Sequence, residues 1–228
     1  MSSSRLPGKV LKPLVGAPMI LRQIERLRRA VALDGIVVAT STEASDDVLC
    51  DACDAAGIEV VRGDLNDVLD RFRQAARVLG DPAHVVRLTA DCPLADWTVV
   101  DACVALHLRA GADYTSNVIQ RSFPKGLDVE VMTLAALDRV WREATDPYER
   151  EHVTPYIHRH PELFGLAHLT QGVDQSAWRW TVDTPEDWAM VEAVYQALYR
   201  PGEPFTREAA AGFLETHPKT AQLNRALG

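Results

Sequence analysis

The feature that most limits the fold is a rhythm: a short β-branched run, then a helical stretch, repeated over residues 35–89. The runs are Gly35-Ile36-Val37-Val38-Ala39-Thr40, Ile58-Glu59-Val60-Val61-Arg62-Gly63 and His84-Val85-Val86-Arg87-Leu88-Thr89. Short Val/Ile-rich runs of this kind suit strands buried on both faces of a parallel sheet. Between them, residues 45–56 and 67–79 read as helices, the first capped by Ser45 or Asp46 and stopped by Gly57. A helix over 18–32 precedes the first run, with Pro18 suited to its first turn, and one over 97–110 follows the third, stopped by Gly111. Such alternation predicts an α/β fold with a doubly wound, mostly parallel sheet.

After residue 112 the rhythm changes. Residues 113–117 and 126–131 read as strands, 133–143 as a helix, and 163–169 and 178–182 as two further strands. Thr184-Pro185-Glu186-Asp187 has the form of a capping box and opens a helix to about Leu198; a last helix starts near Thr206. There is no internal repeat and no low-complexity linker, and 228 residues suit a single domain spanning 1–228.

Bulk properties exclude some functions. The formal charge is −8, which argues against broad nucleic-acid binding. No apolar run approaches the roughly 20 residues needed to span a bilayer. Cys50 and Cys53 form a C-x-x-C within a helical stretch and have no second pair nearby, so Cys50, Cys53, Cys92 and Cys103 read as reduced thiols of a cytoplasmic protein.

Candidate chemistry gathers at four places. Residues 1–9 hold Ser3, Ser4, Arg5, a Pro7-Gly8 turn and Lys9, a composition that suits a loop around a polyphosphate. Asp91 follows directly on the third β-branched run, at the carboxyl edge where open α/β sheets bind ligands. Asp183 ends the run Arg179-Trp180-Thr181-Val182. If these two strands are neighbours, the carboxylates converge, and with water and phosphate oxygens they make a magnesium site. Alone, Asp91 is equally a turn residue, and Asp183 more readily an aspartate at a helix start. Lys125 sits in the turn Phe123-Pro124-Lys125-Gly126, and Arg150-Glu151-His152 begins a dense polar cluster ending at His160. Its three histidines do not share a helical face, so zinc is disfavoured and a polar, carboxylated sugar is the better ligand.

Five segments taken together resemble the cytidylyltransferase family. They are Ser2-Ser3-Ser4-Arg5-Leu6-Pro7-Gly8-Lys9-Val10-Leu11, Arg87-Leu88-Thr89-Ala90-Asp91-Cys92-Pro93-Leu94, Phe123-Pro124-Lys125-Gly126-Leu127-Asp128-Val129-Glu130, Arg150-Glu151-His152-Val153-Thr154-Pro155-Tyr156 and Trp180-Thr181-Val182-Asp183-Thr184-Pro185-Glu186-Asp187. The family includes enzymes that make CMP-sialic acid and CMP-ketodeoxyoctonate, and the chain is most similar to its spore-coat polysaccharide branch. The resemblance implies a nucleotide-diphospho-sugar-transferase fold, usually dimeric, that moves CMP from CTP to a hydroxyl of an acidic sugar and releases pyrophosphate, using Mg²⁺. Carried over, Ser3, Ser4, Arg5, Gly8 and Lys9 would hold the triphosphate, and Asp91 and Asp183 the metal. Lys125, Arg150, Glu151 and His152 would face the acceptor, with residues 113–160 forming the acceptor and dimer region. The resemblance singles out no general base, with His152 one option.

The family also carries a hydrophobic central strand ahead of the serines, so this sequence is expected to lack that first strand. Burying about five apolar side chains is worth roughly 8–15 kcal/mol, the size of a domain's whole stability. Two rivals stand beside transfer from CTP: a glycosyltransferase of related fold using a nucleotide sugar, and a nucleotide-binding remnant without catalysis.

Overall fold

A computed structural model describes residues 5–224. A tight hairpin pairs β1 (Pro13–Leu14) with β2 (Ala17–Pro18) and leads into α1 (Met19–Leu27). The helix is shorter than the predicted 18–32, because residues 28–30 close it in a turn. Then β3 (Val37–Ser41), α2 (Asp47–Ala55), β4 (Glu59–Gly63), α3 (Val68–Val78) and β5 (His84–Arg87) follow the expected alternation. Asp46 does not cap α2 with its side chain. Its carboxylate instead accepts from Thr40 Oγ1 and Ser41 Oγ (both 2.6 Å) and from the Ser41 amide (3.0 Å), which ties α2 to the carboxyl end of β3.

The remaining elements are α4 (Trp97–Ala110), β6 (Tyr114–Ser116), β7 (Glu130–Thr133), α5 (Leu134–Glu143), α6 (Pro147–His152), α7 (Pro155–Arg159), β8 (Leu166–His168), α8 (Pro185–Leu198), α9 (Arg207–Thr216) and α10 (Pro218–Ala221). α4 starts where Asp96 accepts from the Thr98 amide (2.9 Å) and ends where Gly111 takes a left-handed φ of 57°. α8 opens on the full capping box of Thr184 and Asp187.

The sheet is mixed, not mostly parallel. β3 and β4 form a parallel pair, while a four-stranded sheet runs β5-β7-β6-β8. Within it β7 is antiparallel to both β5 and β6, and β6 is parallel to β8. The reason is the long excursion 117–129, which returns the chain in the opposite direction between β5 and β6. Among the described residues no ladder joins β3 to β5, and Val37, Val38, Val85 and Val86 are only half-buried.

Helices cover both faces of the four-stranded sheet. Val131 and Val129 pack with Cys103 and Val100 of α4, while Tyr114 and Met132 pack with Leu137 and Val140 of α5, Leu69 of α3 and Ile157 of α7. Among the described residues no helix is long and apolar enough to cross a membrane.

Residues 178–182, expected as a strand, make no ladder. Trp180 and Val182 are buried, but their backbone hydrogen bonds go to single partners: Trp180 N–H donates to Lys125 O (2.6 Å) and Val182 N–H to Asp91 O (2.8 Å). The pairing stops at a single parallel bridge between Lys125 and Arg179, and the apolar pattern reflects burial in the core.

Candidate active site

That last hydrogen bond builds the site. It lays the segment ending at Asp183 beside the segment following β5, so that two aspartates distant in sequence meet. Lys9 lies between them. Its ammonium donates to Asp91 Oδ2 (3.0 Å), Asp183 Oδ1 (2.8 Å) and the Val182 carbonyl (2.7 Å). The lysine arrives from a tight turn: Gly8 is left-handed (φ 68°), and Lys9–Leu11 form one turn of 3₁₀-helix. A side chain with Cβ would strain at that φ, which explains the glycine of the Pro7-Gly8 pair.

Charge is shared tightly. Burial alone would lower the Lys9 pKa, but Asp91 and Asp183 outweigh it and hold the ammonium above its ordinary value. Burial likewise pushes Asp183 up, and hydrogen bonds from Lys9 and Arg179 more than reverse it, leaving the carboxyl below the usual range. Asp183 Oδ2 also meets Arg5 at 3.3 Å, on a side chain that is 63% exposed. Arg5, Gly8, Lys9, Asp91 and Asp183 are therefore brought together. Ser3 and Ser4 lie outside the described residues.

Behind Asp183 stands a group that the sequence pattern did not single out. Arg179 donates to Asp183 Oδ2 (2.5 Å) and, through Nε and Nη2, to both oxygens of Asp187 (2.9 and 3.1 Å). Asp187, fully buried, also accepts from the Asp183 amide (2.9 Å), the Thr184 amide (3.1 Å) and Asn224 Nδ2 (2.9 Å). Read from sequence, Asp187 is only the third residue of a capping box. Its second duty depends on Arg179, which hides between Trp178 and Trp180 in an apolar run. The one available signal was a cation four residues ahead of Asp183 in such a run.

The expected acceptor residues sit differently. The Lys125 side chain is exposed, while its backbone pairs with Trp178 and Trp180 and so adjoins the Asp183 segment. Arg150 is engaged by Asp67 Oδ2 (2.8 Å) and by the carbonyls of Trp141 (3.0 Å) and Ala144 (3.1 Å). Glu151 and His152 are exposed, and the His152 ring lies against Tyr148. Among the described residues no hydrogen bond or ion pair links these three to Lys9, Asp91 or Asp183.

A polar row crosses the four-stranded sheet at the same edge. Register pairs Arg87 with Glu130, Glu130 with Ser116 and Ser116 with His168. Glu130 joins Arg87 in an ion pair and accepts from Tyr114 OH (2.7 Å).

The site's donor set is two carboxylates and a backbone carbonyl, all hard oxygens around one cation. That fits Mg²⁺, which binds few carboxylates and completes its shell with water and phosphate. Among the described residues no three His, Cys, Asp or Glu side chains are grouped so as to hold a metal ion.

A family model described as cytidylyltransferase matches residues 1–200. The chain belongs to the cytidylyltransferase family. It is 34% identical over 203 residues to the spore coat polysaccharide biosynthesis protein SpsF of Bacillus subtilis, covering 86% of this chain and 83% of that protein. It is 37% identical over 103 residues to the 3-deoxy-manno-octulosonate cytidylyltransferase of Anaeromyxobacter dehalogenans, covering 45% and 41%. Among solved structures, a cytidylyltransferase from Leptospira borgpetersenii superposes with a TM-score of 0.91 at 31% identity, covering 97% of this chain and 93% of that one. This cytidylyltransferase is thus a nucleotidyltransferase with an α/β fold, and its thiols take no part in a disulfide among the described residues. Burial pushes Cys92 well above the ordinary thiol value and Cys103 up to about 12, which disfavours the thiolate at both.

Proposed function

We propose that this cytidylyltransferase transfers CMP from CTP to a hydroxyl of an acidic sugar, releasing pyrophosphate, in the synthesis of an activated sugar for cell-surface polysaccharide. The observation that carries the reading is the convergence of Asp91 and Asp183 on one cationic point beside the Gly8 turn. The likeness to SpsF supports the polysaccharide context, and the partial likeness to the octulosonate enzyme supports an acidic acceptor.

In the reaction, the acceptor oxygen attacks the α-phosphorus, the bond to the β-phosphate bridging oxygen breaks, and pyrophosphate leaves. The hydroxyl proton passes to solvent or to a base not yet assigned. Asp91 and Asp183 would hold Mg²⁺, which when bound supplies charge neutralisation at the phosphate oxygens. Arg5 and Lys9 hold the triphosphate, where fixed positive charge lowers the repulsion met by an incoming oxygen. Lys125, next to the Asp183 segment, faces the acceptor. Arg179 and Asp187 keep the Asp183 carboxylate aimed. The cytoplasm is the proposed place of action, which the four free thiols support.

The test is a pyrophosphate-release screen of the four ribonucleoside triphosphates against acidic sugars with Mg²⁺. Release confined to CTP and an acidic sugar is the expected result. Release with another nucleotide, or a free nucleoside diphosphate from a sugar donor, overturns it.

A further inference from the structure

We infer that Lys9 is a resident counter-ion that closes the Asp91–Asp183 pair to free divalent metal until a nucleotide's phosphates draw its ammonium away. The inference rests on the proposed function and concerns how that same site is filled.

An ammonium has three N–H donors. On Lys9 all three have acceptors: two carboxylate oxygens and the Val182 carbonyl, at 2.7–3.0 Å. The lysine side chain is only 12% exposed. Nothing is left to greet a phosphate while the ammonium stays, and no second cation fits the point where those oxygens meet. The remaining oxygen of Asp183 is already shared by Arg179 and Arg5.

A metal ion arriving alone must therefore eject a half-buried ammonium from both of its carboxylates. A triphosphate supplies the ammonium with another anion. Once Lys9 turns to phosphate, one oxygen of each aspartate becomes free, and the metal enters with the phosphate oxygens as further ligands. Nucleotide and metal thus help each other to bind, and such coupling is reciprocal. The turn at Gly8 and the exposed Arg5 place the moving lysine on the same loop that meets the phosphates.

Binding of Mn²⁺ alone, followed by loss of the free-ion electron paramagnetic resonance signal, tests this in the wild type, Lys9→Met and Lys9→Met/Asp91→Asn. Lys9→Met is expected to bind Mn²⁺ about tenfold or more tightly than the wild type, within the usual 5–150-fold span of site coupling. Adding Asp91→Asn should cancel the gain. Thermal melting gives a second readout: Lys9→Met should melt lower than wild type and recover with millimolar Mg²⁺, while the wild type barely responds. If Lys9→Met binds Mn²⁺ no more tightly, while Asp91→Asn still weakens Mn²⁺ binding in the presence of CTP, the counter-ion idea falls and the metal site stands. If Asp91→Asn changes Mn²⁺ binding in no background, the metal site itself falls. If Lys9→Met does not fold, Lys9→Gln replaces it, and the melting response to Mg²⁺ decides.

Discussion

At the scale of single residues, the site is a lattice of alternating charge in which each member needs its neighbour. Asp183 lies between Lys9, Arg5 and Arg179, and Asp187 anchors Arg179 from a fully buried position. Removing a carboxylate here has two separable effects. Asp183→Asn and Asp91→Asn keep size but lose the charge and one acceptor oxygen. They are expected to keep the fold and lower pyrophosphate release by about 10²–10³-fold, the usual loss when one preorganised electrostatic group is removed. Near-normal rates from both, with unchanged circular dichroism, would reject the metal assignment. Asp187→Ala leaves the Arg179 guanidinium with Asp183 as its remaining carboxylate and three N–H donors unpaired in the interior. Its expected cost is about 3 kcal/mol, read from urea unfolding, because buried donors lose their acceptor and a buried ion pair is broken. A loss below about 1 kcal/mol would mean that Asp183 alone satisfies Arg179.

At the scale of elements, the way residues 124–127 thread past Trp180 decides whether Asp183 reaches Asp91. Gly126 has φ +107°, and a Cβ there would lie 2.5 Å from the Thr181 amide and 2.6 Å from the Trp180 carbonyl carbon. Backbone cannot yield as a flexible side chain does. Gly126→Ala is therefore expected to cost on the order of 3 kcal/mol and to cut activity further than stability alone explains; a melting temperature within a degree of wild type would contradict it. This threading also marks where sequence reasoning stops. Helices 97–110 and 185–198 were legible because Asp96, Gly111, Thr184 and Asp187 act locally through caps. Residues 178–182 were not, since their alternation comes from burying Trp180 and Val182, while their hydrogen bonds go to Lys125 and Asp91. The expected strand 126–131 likewise begins only at Glu130, because Asn117 takes the Leu127 carbonyl (2.7 Å) and the Val129 amide (2.8 Å) with its side chain. In the site, Lys9, Asp91 and Asp183 were legible as residue types next to turns. Arg179 and Asn224 join them only through tertiary packing, which no local pattern encodes.

At the scale of the whole molecule, residues 9, 91, 179, 183, 187 and 224 draw the start, middle and end of the chain to one point, so site integrity and global stability share the same titrating groups. The sign of the pH dependence follows. His107 is buried and bonded to His84 and Thr115, and burial first, then His84, lowers its pKa below the ordinary value. The unfolded chain then binds its proton more readily, so stability falls as pH drops through about 6.5 toward the folded value. Asp46, Asp183 and Asp187 are all held below the ordinary carboxylate value, since hydrogen bonds to the charged form outweigh burial. Their contribution is complete above the unfolded value of about 4 and is lost as pH falls through their folded values. His158 is lowered in the same way by burial. Acid destabilisation should therefore come in two stages, a shallow decline below about pH 6.5 from His107 and His158 and a steeper one below about 4 from carboxylates that include these three. Urea midpoints measured at pH 7, 6, 5, 4 and 3 check this. Asp46→Asn is expected to lower the midpoint at pH 7 and to flatten only the second stage, because it removes one late-titrating carboxylate and leaves His107 and His158 unchanged. A single steep loss centred near pH 6, or a second stage unchanged in Asp46→Asn, would show that the carboxylate beside the end of β3 does not carry the acid stability that its hydrogen bonds imply.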